Sequence, residues 1–252
     1  MSRPSRPSSL GAARLRRLAG EVAPLAQATR INLASPERTG RLREALAYWR
    51  FSGTPDLLDQ RSITEIFSGI EALTASSQIV AGHPFELPLG ERVLVELIVQ
   101  YLQPTVIVEF GTFTGTTTGL MADTAPQGAL VHTFDLPGAP DEIVGSAFRD
   151  KVATSAKIVQ HRADTRTFDF DGLFGHVDLV YVDASHAYAD VLIDSARALE
   201  LIGDSGVVLW DDYQAAQPGV VRAINEIGRE VQVYRLAGSR LAIHRRIPHP
   251  AG

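Results

Sequence analysis

Short apolar runs alternate with amphipathic segments along the second two thirds of the chain. Continuous β-branched runs are typical of buried parallel strands, and they predict strands over residues 106–110, 130–136, 157–160, 177–182 and 206–210. Between them, apolar residues at three- and four-residue spacing predict helices over roughly 115–125, 140–154, 187–202 and 217–229. This alternation predicts an α/β fold with a doubly wound parallel sheet.

The C-terminal end follows a different pattern. Val231–Leu236 and Leu241–His244 are strand-like runs, and the residues between them include Ala237, Gly238 and Ser239. So short a connection predicts an antiparallel hairpin instead of a helical crossover. We therefore expect a mostly parallel, seven-stranded sheet that ends in a C-terminal antiparallel hairpin.

The N-terminal third carries neither pattern. Residues 1–9 form a Pro/Ser/Arg tail that we expect to be disordered. Helices are predicted over 35–51, which opens with Ser-Pro as helices often do, and over 62–76. We therefore expect two parts: a basic tail with a helical extension, 1–82, and an α/β domain, 83–252. The extension should cover a ligand or pair subunits in a homo-oligomer.

Composition limits the function classes. The chain has 252 residues and no cysteine, which excludes disulfides, thiolate metal sites and cysteine nucleophiles and is compatible with the cytoplasm, where we expect the protein. No run approaches about 18 apolar residues, so we expect no transmembrane helix and no membrane partner. The net charge of −5 argues against nucleic acid as a partner.

The first predicted strand ends in a glycine turn that predicts a nucleoside-like ligand. In VIVEFGTFTGTTTG, residues 106–119, Glu109 is followed by Gly111 and Gly115, which would let a ligand approach the backbone. The spacing matches neither the dinucleotide fingerprint nor the lysine-containing phosphate loop. An acid-x-G-x-x-x-G pattern after a strand resembles the first motif of class I S-adenosylmethionine-dependent methyltransferases. A tight turn without a ligand is the alternative.

Acids also follow the second and third strands. Asp135 lies about 20 residues beyond Gly115, where nucleotide-binding folds place a ribose-binding acid; a turn cap before Pro137 is the alternative. The methyltransferase resemblance implies that Asp164 lies near adenine. We assign the cofactor site, expected to bind S-adenosylmethionine, to Glu109, Gly111, Thr112, Phe113, Gly115, Thr116, Asp135, Asp164 and Asp183.

Three more acids follow the fourth and fifth strands: Asp183, Asp211 and Asp212. Ligands of open α/β sheets bind at the carboxyl ends of the strands, so these acids should converge beside Gly111. Clustered carboxylates repel one another unless a cation or proton compensates, which predicts Mg²⁺ or another divalent cation. Adjacent strand residues face opposite sides, so both Asp211 and Asp212 reach one ion only if the chain has left the strand by Asp212.

Two segments carry a closer resemblance: DASHAY, residues 183–188, and LWDD, residues 209–212. They resemble the paired motifs of metal-dependent O-methyltransferases of the catechol and caffeoyl-coenzyme A type. They are even more similar to those of bacterial natural-product methyltransferases that act on cephalosporin intermediates and macrolide sugars. The resemblance spans roughly residues 82–246. It implies methylation of a small-molecule hydroxyl, with Asp183, Asp211 and Asp212 as metal ligands.

Catalysis is assigned to Asp183 and His186. Catechol-type enzymes have a lysine base where this sequence has His186, which could act as the base, as a further ligand or as a neutral structural histidine. Other functions stay open: a metal-independent N- or C-methyltransferase with His186 as base, or a non-catalytic S-adenosylmethionine-binding protein. A nicotinamide-dependent oxidoreductase is disfavoured by the glycine spacing.

Overall fold

The computed structural model describes residues 53–76, 87–149 and 154–245. The predicted tail, the helix predicted over 35–51 and the predicted domain boundary at residues 82 and 83 lie outside the described residues. The division into two parts therefore stays a prediction.

The described residues form eight strands and six α-helices. The strands are β1 (Asp59–Arg61), β2 (Val106–Phe110), β3 (Leu130–Asp135), β4 (Lys157–Arg162), β5 (Val177–Val182), β6 (Ile202–Trp210), β7 (Tyr234–Leu236) and β8 (Ala242–Arg245). The helices are α1 (Ile63–Ile66), α2 (Leu89–Leu102), α3 (Thr116–Thr124), α4 (Ser146–Arg149), α5 (Tyr188–Leu201) and α6 (Pro218–Ile227), with a 3₁₀ turn at Ile70–Ala72. No helix in these described ranges has the length and apolar character needed to cross a membrane.

All eight strands belong to one sheet, in the order β1-β7-β8-β6-β5-β2-β3-β4. Strands β2 to β6 pair in parallel, and β8 pairs antiparallel with both β6 and β7. These seven strands confirm the predicted mostly parallel sheet with its C-terminal hairpin. The eighth, β1, was not predicted; it pairs in parallel with β7 at the sheet edge.

Helices cover both faces of the sheet and bury two apolar clusters. On one face, Val95 and Ile98 of α2 and Met121 of α3 are fully buried in one cluster. On the other, Ala198 of α5 and Ile224 of α6 belong to the second cluster and are also fully buried. Full burial of an aliphatic side chain is worth about 1.5–3 kcal/mol. The helices packed on both faces therefore stabilise the central strands of the sheet.

Two predicted helices are shorter than expected. The helix predicted over 62–76 divides into α1 and the 3₁₀ turn because Gly69, between them, has a left-handed φ of 89°. In the region predicted as a helix over 140–154, the described residues contain only α4, which follows Gly145 with a φ of 73°. Glycine takes this conformation readily, and it is incompatible with a continuous helix.

Strand order reverses between β2 and β5, and this switch point creates the crevice where such folds bind ligands. The backbone N–H of Asp183 donates to Phe110 O at 2.8 Å, and the N–H of Asp211 donates to Val182 O at 3.1 Å. The ends of β2, β5 and β6 are therefore joined side by side. The glycine turn and the predicted acids share one rim of the sheet.

Candidate active site

Gly111 allows the ends of β2 and β5 to touch. Its φ is 101°, and a Cβ added at this position would overlap the carbonyl oxygen of Asp183. The N–H groups of Gly111 and Thr112 both donate to Phe134 O, at 2.9 and 3.0 Å. The turn is thus pinned between its two neighbouring strands, and no residue larger than glycine fits there.

Asp135 holds the next part of the turn. Its Oδ2 accepts a hydrogen bond from the N–H of Phe113 at 2.9 Å, and its Oδ1 accepts one from the N–H of Leu136 at 2.8 Å. Phe113 has a left-handed φ of 44°, a conformation that costs energy in a residue with a side chain. Asp135 therefore caps the glycine turn; its contact with ribose stays a prediction.

Glu109 is buried in β2, next to the turn. Its carboxylate is buried and accepts hydrogen bonds from the hydroxyls of Thr118 and, at 2.5 Å, Thr133. The Thr133 hydroxyl also contacts that of Thr112 at 2.7 Å. Burial raises the pKa of Glu109 to about 7, with the threonine hydrogen bonds acting in the opposite direction. This acid ties together β2, β3 and α3; its predicted contact with the cofactor stays a prediction.

The remaining cofactor candidates lie around the same rim. Gly115 has a φ of 82°, and a Cβ there would overlap the ring of Phe148. Thr116 begins α3, and its hydroxyl lies 3.1 Å from that of Thr114. Beyond β4, Asp164 is paired with Arg166, whose Nε lies 2.9 Å from Oδ1 and whose Nη2 lies 2.5 Å from Oδ2.

The structure groups Asp183, His186 and Asp212 on the other side of the crevice. One potential ligand atom from each lies within 4.8 Å of the other two. His186 Nε2 is 2.8 Å from Asp212 Oδ2. Strand β6 ends at Trp210, and Asp212 has a left-handed φ of 59°. The chain has therefore left the strand by Asp212. This meets the condition stated above for Asp211 and Asp212 to reach one ion.

Asp211 is not part of this group, which differs here from the predicted metal set. Its Oδ2 accepts a hydrogen bond from the Tyr181 hydroxyl at 3.2 Å, and its Oδ1 accepts one from the N–H of Asp212 at 2.6 Å. The guanidinium of Arg240 is 3.4 Å from both oxygens. The role of Asp211 as a metal ligand therefore stays a prediction.

These acids have shifted pKa values because they are crowded and buried. Burial, followed by the charges of Asp211 and Asp212, raises the pKa of Asp183 well above its usual range, while the charge of His186 opposes the shift. Burial and the charge of Asp212 raise the pKa of Asp211 to about 6. Burial acts in the same direction on Asp212, but the hydrogen bond and charge of His186 outweigh it and lower the pKa.

The donor set fits a divalent cation. It combines two carboxylates with one imidazole, and clustered acids with a raised pKa are stabilised by added positive charge. In an octahedral site with bonds of about 2.1 Å, neighbouring ligand atoms lie about 3 Å apart. The 2.8 Å separation of His186 Nε2 and Asp212 Oδ2 is close to this spacing, so both atoms could bind one ion.

Sequence reasoning missed three residues of this region. Arg240 and Glu91 contact each other, with Arg240 Nε 3.0 Å from Glu91 Oε2, and Arg240 also contacts the acid pair. Arg240 comes from the hairpin turn and Glu91 from α2. Both elements are far from the motifs in the sequence, so no local pattern predicts these two residues. Arg166 does leave a signal, because it follows Asp164 by two residues within one turn.

Comparisons with known proteins agree with this geometry. Residues 108–213 match a family model described as a methyltransferase domain. No curated protein sequence matches the chain.

Solved structures resemble the chain at low identity, among them three methyltransferases. An O-methyltransferase from Bacillus cereus in complex with SAH is 16% identical, with a TM-score of 0.51 over 64% of this chain and 83% of that one. The O-methyltransferase TomG from Streptomyces achromogenes, involved in tomaymycin synthesis and solved with SAM, is 18% identical, with a TM-score of 0.51 over 83% and 99%. A methyltransferase from Geobacter sulfurreducens is 17% identical, with a TM-score of 0.51 over 64% and 80%.

The matched segment begins in β2 and ends just after the acid pair, so it contains both the glycine turn and the group around Asp183. The structural likeness shows the fold, and the family match covers residues 108–213 of the chain. The chain therefore has the fold of these methyltransferases, and its residues 108–213 are similar to a methyltransferase domain.

Proposed function

We propose that the protein transfers the methyl group of S-adenosylmethionine to a hydroxyl oxygen of a small molecule, with assistance from a divalent cation. One observation carries this proposal. The glycine turn, pressed against the backbone of Asp183, adjoins the group formed by Asp183, His186 and Asp212. A methyl donor at the turn and a hydroxyl at the acids would therefore be neighbours.

The turn would bind the donor. Gly111 exposes backbone where a side chain would block approach, and Asp135 and Asp164 lie after the neighbouring strands β3 and β4. We assign Asp135 to the ribose and Asp164 to the region of the adenine. Holding both reactants in line is the main source of acceleration in such a transfer, and positioning is worth about 7–11 kcal/mol in favourable cases.

Asp183, His186 and Asp212 would hold the cation. A bound divalent ion lowers the pKa of a hydroxyl that it contacts and so favours the nucleophilic oxygen. Asp212, whose pKa is lowered, would carry negative charge on the acceptor side before the cation binds, which disfavours anionic acceptors. The similarity to TomG supports a secondary metabolite as the acceptor.

A metal-independent reaction is the second candidate, and one contact favours it. His186 Nε2 is 2.8 Å from Asp212 Oδ2, and a histidine oriented by a carboxylate is a common general base. In this version His186 would accept the hydroxyl proton and Asp212 would stabilise the resulting imidazolium. A homo-oligomer formed through the N-terminal segment and a cytoplasmic location remain proposals as well.

The test combines donor binding with methyl transfer. Purified protein would be titrated with S-adenosylhomocysteine in a calorimeter and then incubated with radiolabelled S-adenosylmethionine and a panel of phenols, catechols and sugar hydroxyls. Methyl transfer that requires Mg²⁺ and stops in excess chelator is expected. Full transfer in chelator would favour the His186 mechanism, and transfer to nitrogen or carbon alone would contradict O-methylation.

A further inference from the structure

The guanidinium of Arg240 lies among three carboxylates next to the proposed cation site. Its Nε is 3.0 Å from Glu91 Oε2 and 3.4 Å from Asp211 Oδ1, and its Nη1 is 3.2 Å from Asp212 Oδ1. We propose that Arg240 is a positioning residue that holds Asp211 away from the cation and directs one oxygen of Asp212 toward it. This inference rests on the proposed function and deepens it.

The register of the sheet explains why an arginine from the C-terminal hairpin reaches this site. Strand β8 runs antiparallel to β6 with Trp210 opposite Ala242 and Leu209 opposite Ile243. Arg240 lies two residues before β8 and Asp212 two residues after β6, so the turn that leads into β8 brings Arg240 beside Asp212. The antiparallel strand that distinguishes this sheet from a fully parallel one therefore delivers a fixed positive charge to the acid pair.

Arg240 divides the two oxygens of Asp212 between different partners. Oδ1 faces Arg240 Nη1 and accepts a hydrogen bond from Gln214 Nε2 at 2.8 Å. Oδ2 contacts His186 Nε2 at 2.8 Å. The contacts of Oδ1 thus leave Oδ2 as the oxygen that faces His186, which belongs to the same group as Asp183.

Asp211 is occupied on both oxygens. Tyr181 donates to Oδ2 and the N–H of Asp212 donates to Oδ1, and Arg240 contacts each oxygen as well. If Asp211 moved to bind the cation, its carboxylate would lose these partners. That carboxylate is buried, since Asp211 is only 5% exposed. In the proposed site, Asp212 is favoured as a ligand because both oxygens of Asp211 are held by Arg240 together with Tyr181 and the backbone.

Arg240 is itself fixed in three ways. Its N–H donates to Glu91 Oε1 at 2.9 Å, its side chain contacts the other oxygen of Glu91, and its carbonyl accepts from the N–H of Tyr213 at 2.8 Å. Glu91 lies on α2 and is also buried. A planar guanidinium can serve several carboxylates at once, whereas a lysine ammonium acts as a point charge.

Binding of Mn²⁺ alone, followed by electron paramagnetic resonance, tests this role without an acceptor. The variants are Arg240→Met, Asp211→Asn, Asp212→Asn and the double variant Arg240→Met with Asp211→Asn. Arg235→Met is the matched control, because Arg235 lies in the same hairpin but contacts Asp56 and Ser239 instead of the acid pair. Calorimetry with S-adenosylhomocysteine reports the donor site separately.

In Arg240→Met a neighbouring positive charge is removed and Asp211 is released, so Mn²⁺ should bind at least about tenfold tighter than to the native protein. Most of this gain should vanish in the double variant, which lacks the released carboxylate. Asp211→Asn should weaken binding far less than Asp212→Asn. Arg235→Met should bind Mn²⁺ as the native protein does, and the affinity for S-adenosylhomocysteine should change less than about threefold throughout.

Native Mn²⁺ affinity in Arg240→Met, or an equal gain in Arg235→Met, would overturn the inference. So would equal losses in Asp211→Asn and Asp212→Asn, a comparison that remains valid even if Arg240→Met does not fold. A different result marks failure of the proposed function: if the native protein and every variant bind S-adenosylhomocysteine but no Mn²⁺, the cation itself is absent and the role of Arg240 is lost with it.

Discussion

The two sides of the crevice use the same residue type in opposite ways. On the side of β2 and β3, Glu109 and Asp135 are bound by neutral donors, namely threonine hydroxyls and backbone N–H groups. On the side of β5 and β6, Asp211 and Asp212 are bound by charged or chargeable groups, Arg240 and His186. Carboxylates on the first side hold the backbone in shape. Those on the second side also accept from neutral donors, Tyr181 and Gln214, but a guanidinium and an imidazole lie beside them as well.

The comparison predicts that acids on the second side are needed for chemistry and dispensable for donor binding. Asp183→Ala should reduce methyl transfer more than about a thousandfold, because a cation ligand and the local charge are both lost. The dissociation constant of S-adenosylhomocysteine should change less than about fivefold. Steady-state rates with radiolabelled donor and calorimetry measure the two effects.

Asp204→Ala is the control for this experiment, because Asp204 is exposed and lies in β6 far from its carboxyl end. It should leave both quantities at native values. Loss of donor binding in Asp183→Ala with intact folding would contradict the division of the crevice into two sides.

The turn side should respond to changes of shape. Gly111→Ala would combine the strain of a positive φ with overlap against the backbone of Asp183, and we expect it to lower the free energy of unfolding by at least about 3 kcal/mol. Gly128→Ala is a matched control, because Gly128 has a similar φ of 88° but open space where a Cβ would lie. It should cost only about 1–2 kcal/mol, the strain alone.

Denaturant unfolding of the two variants provides the comparison, and calorimetry should find no binding of S-adenosylhomocysteine to Gly111→Ala. Equal destabilisation by both substitutions would mean that the close approach of β2 to β5 is unimportant. The role of the turn as the binding surface would then lose its physical basis.

The sequence predicted the sheet and the rim far better than the contacts within the rim. Apolar runs identify parallel strands, and parallel strands necessarily bring Gly111, Asp183 and Asp212 to one edge. The contacts of Asp211 and Asp212 depend instead on a left-handed residue and on Arg240, which comes from another part of the chain. The strand β1 was missed for a similar reason: its three exposed residues, Asp59, Gln60 and Arg61, carry no apolar pattern.

The buried acid on the turn side makes folding stability depend on pH. The pKa of Glu109 is raised from 4.5 to about 7 in the folded protein, so the folded state holds this proton more tightly than the unfolded state does. Its contribution to stability is fully present below about pH 4.5 and is lost as the pH rises to about 7, by at most about 3 kcal/mol.

Glu109→Gln removes this titration while keeping an amide that can bond to both threonines. The difference in unfolding free energy between Glu109→Gln and the native protein should therefore rise in favour of the variant between about pH 4.5 and pH 7, and stay constant above. Denaturant unfolding at several pH values measures it. A difference that does not depend on pH would mean that Glu109 titrates normally and is not buried as described.

The smallest effect tests whether neutral donors matter on the turn side. Thr118→Val removes one hydroxyl that bonds to the Glu109 carboxylate, and a lost hydrogen bond to a buried acid should cost about 1–3 kcal/mol at pH 8, where the acid is ionised. At pH 5 the protonated carboxyl needs this donor less, so the cost should shrink. Thr124→Val, on the same helix, removes a hydroxyl that bonds only to Leu120 O and should cost a similar small amount at both pH values. If the two variants respond to pH alike, the threonines do not stabilise the charge of Glu109. The conclusion that neutral donors bind the acids on the side of β2 and β3 would then be wrong for Glu109.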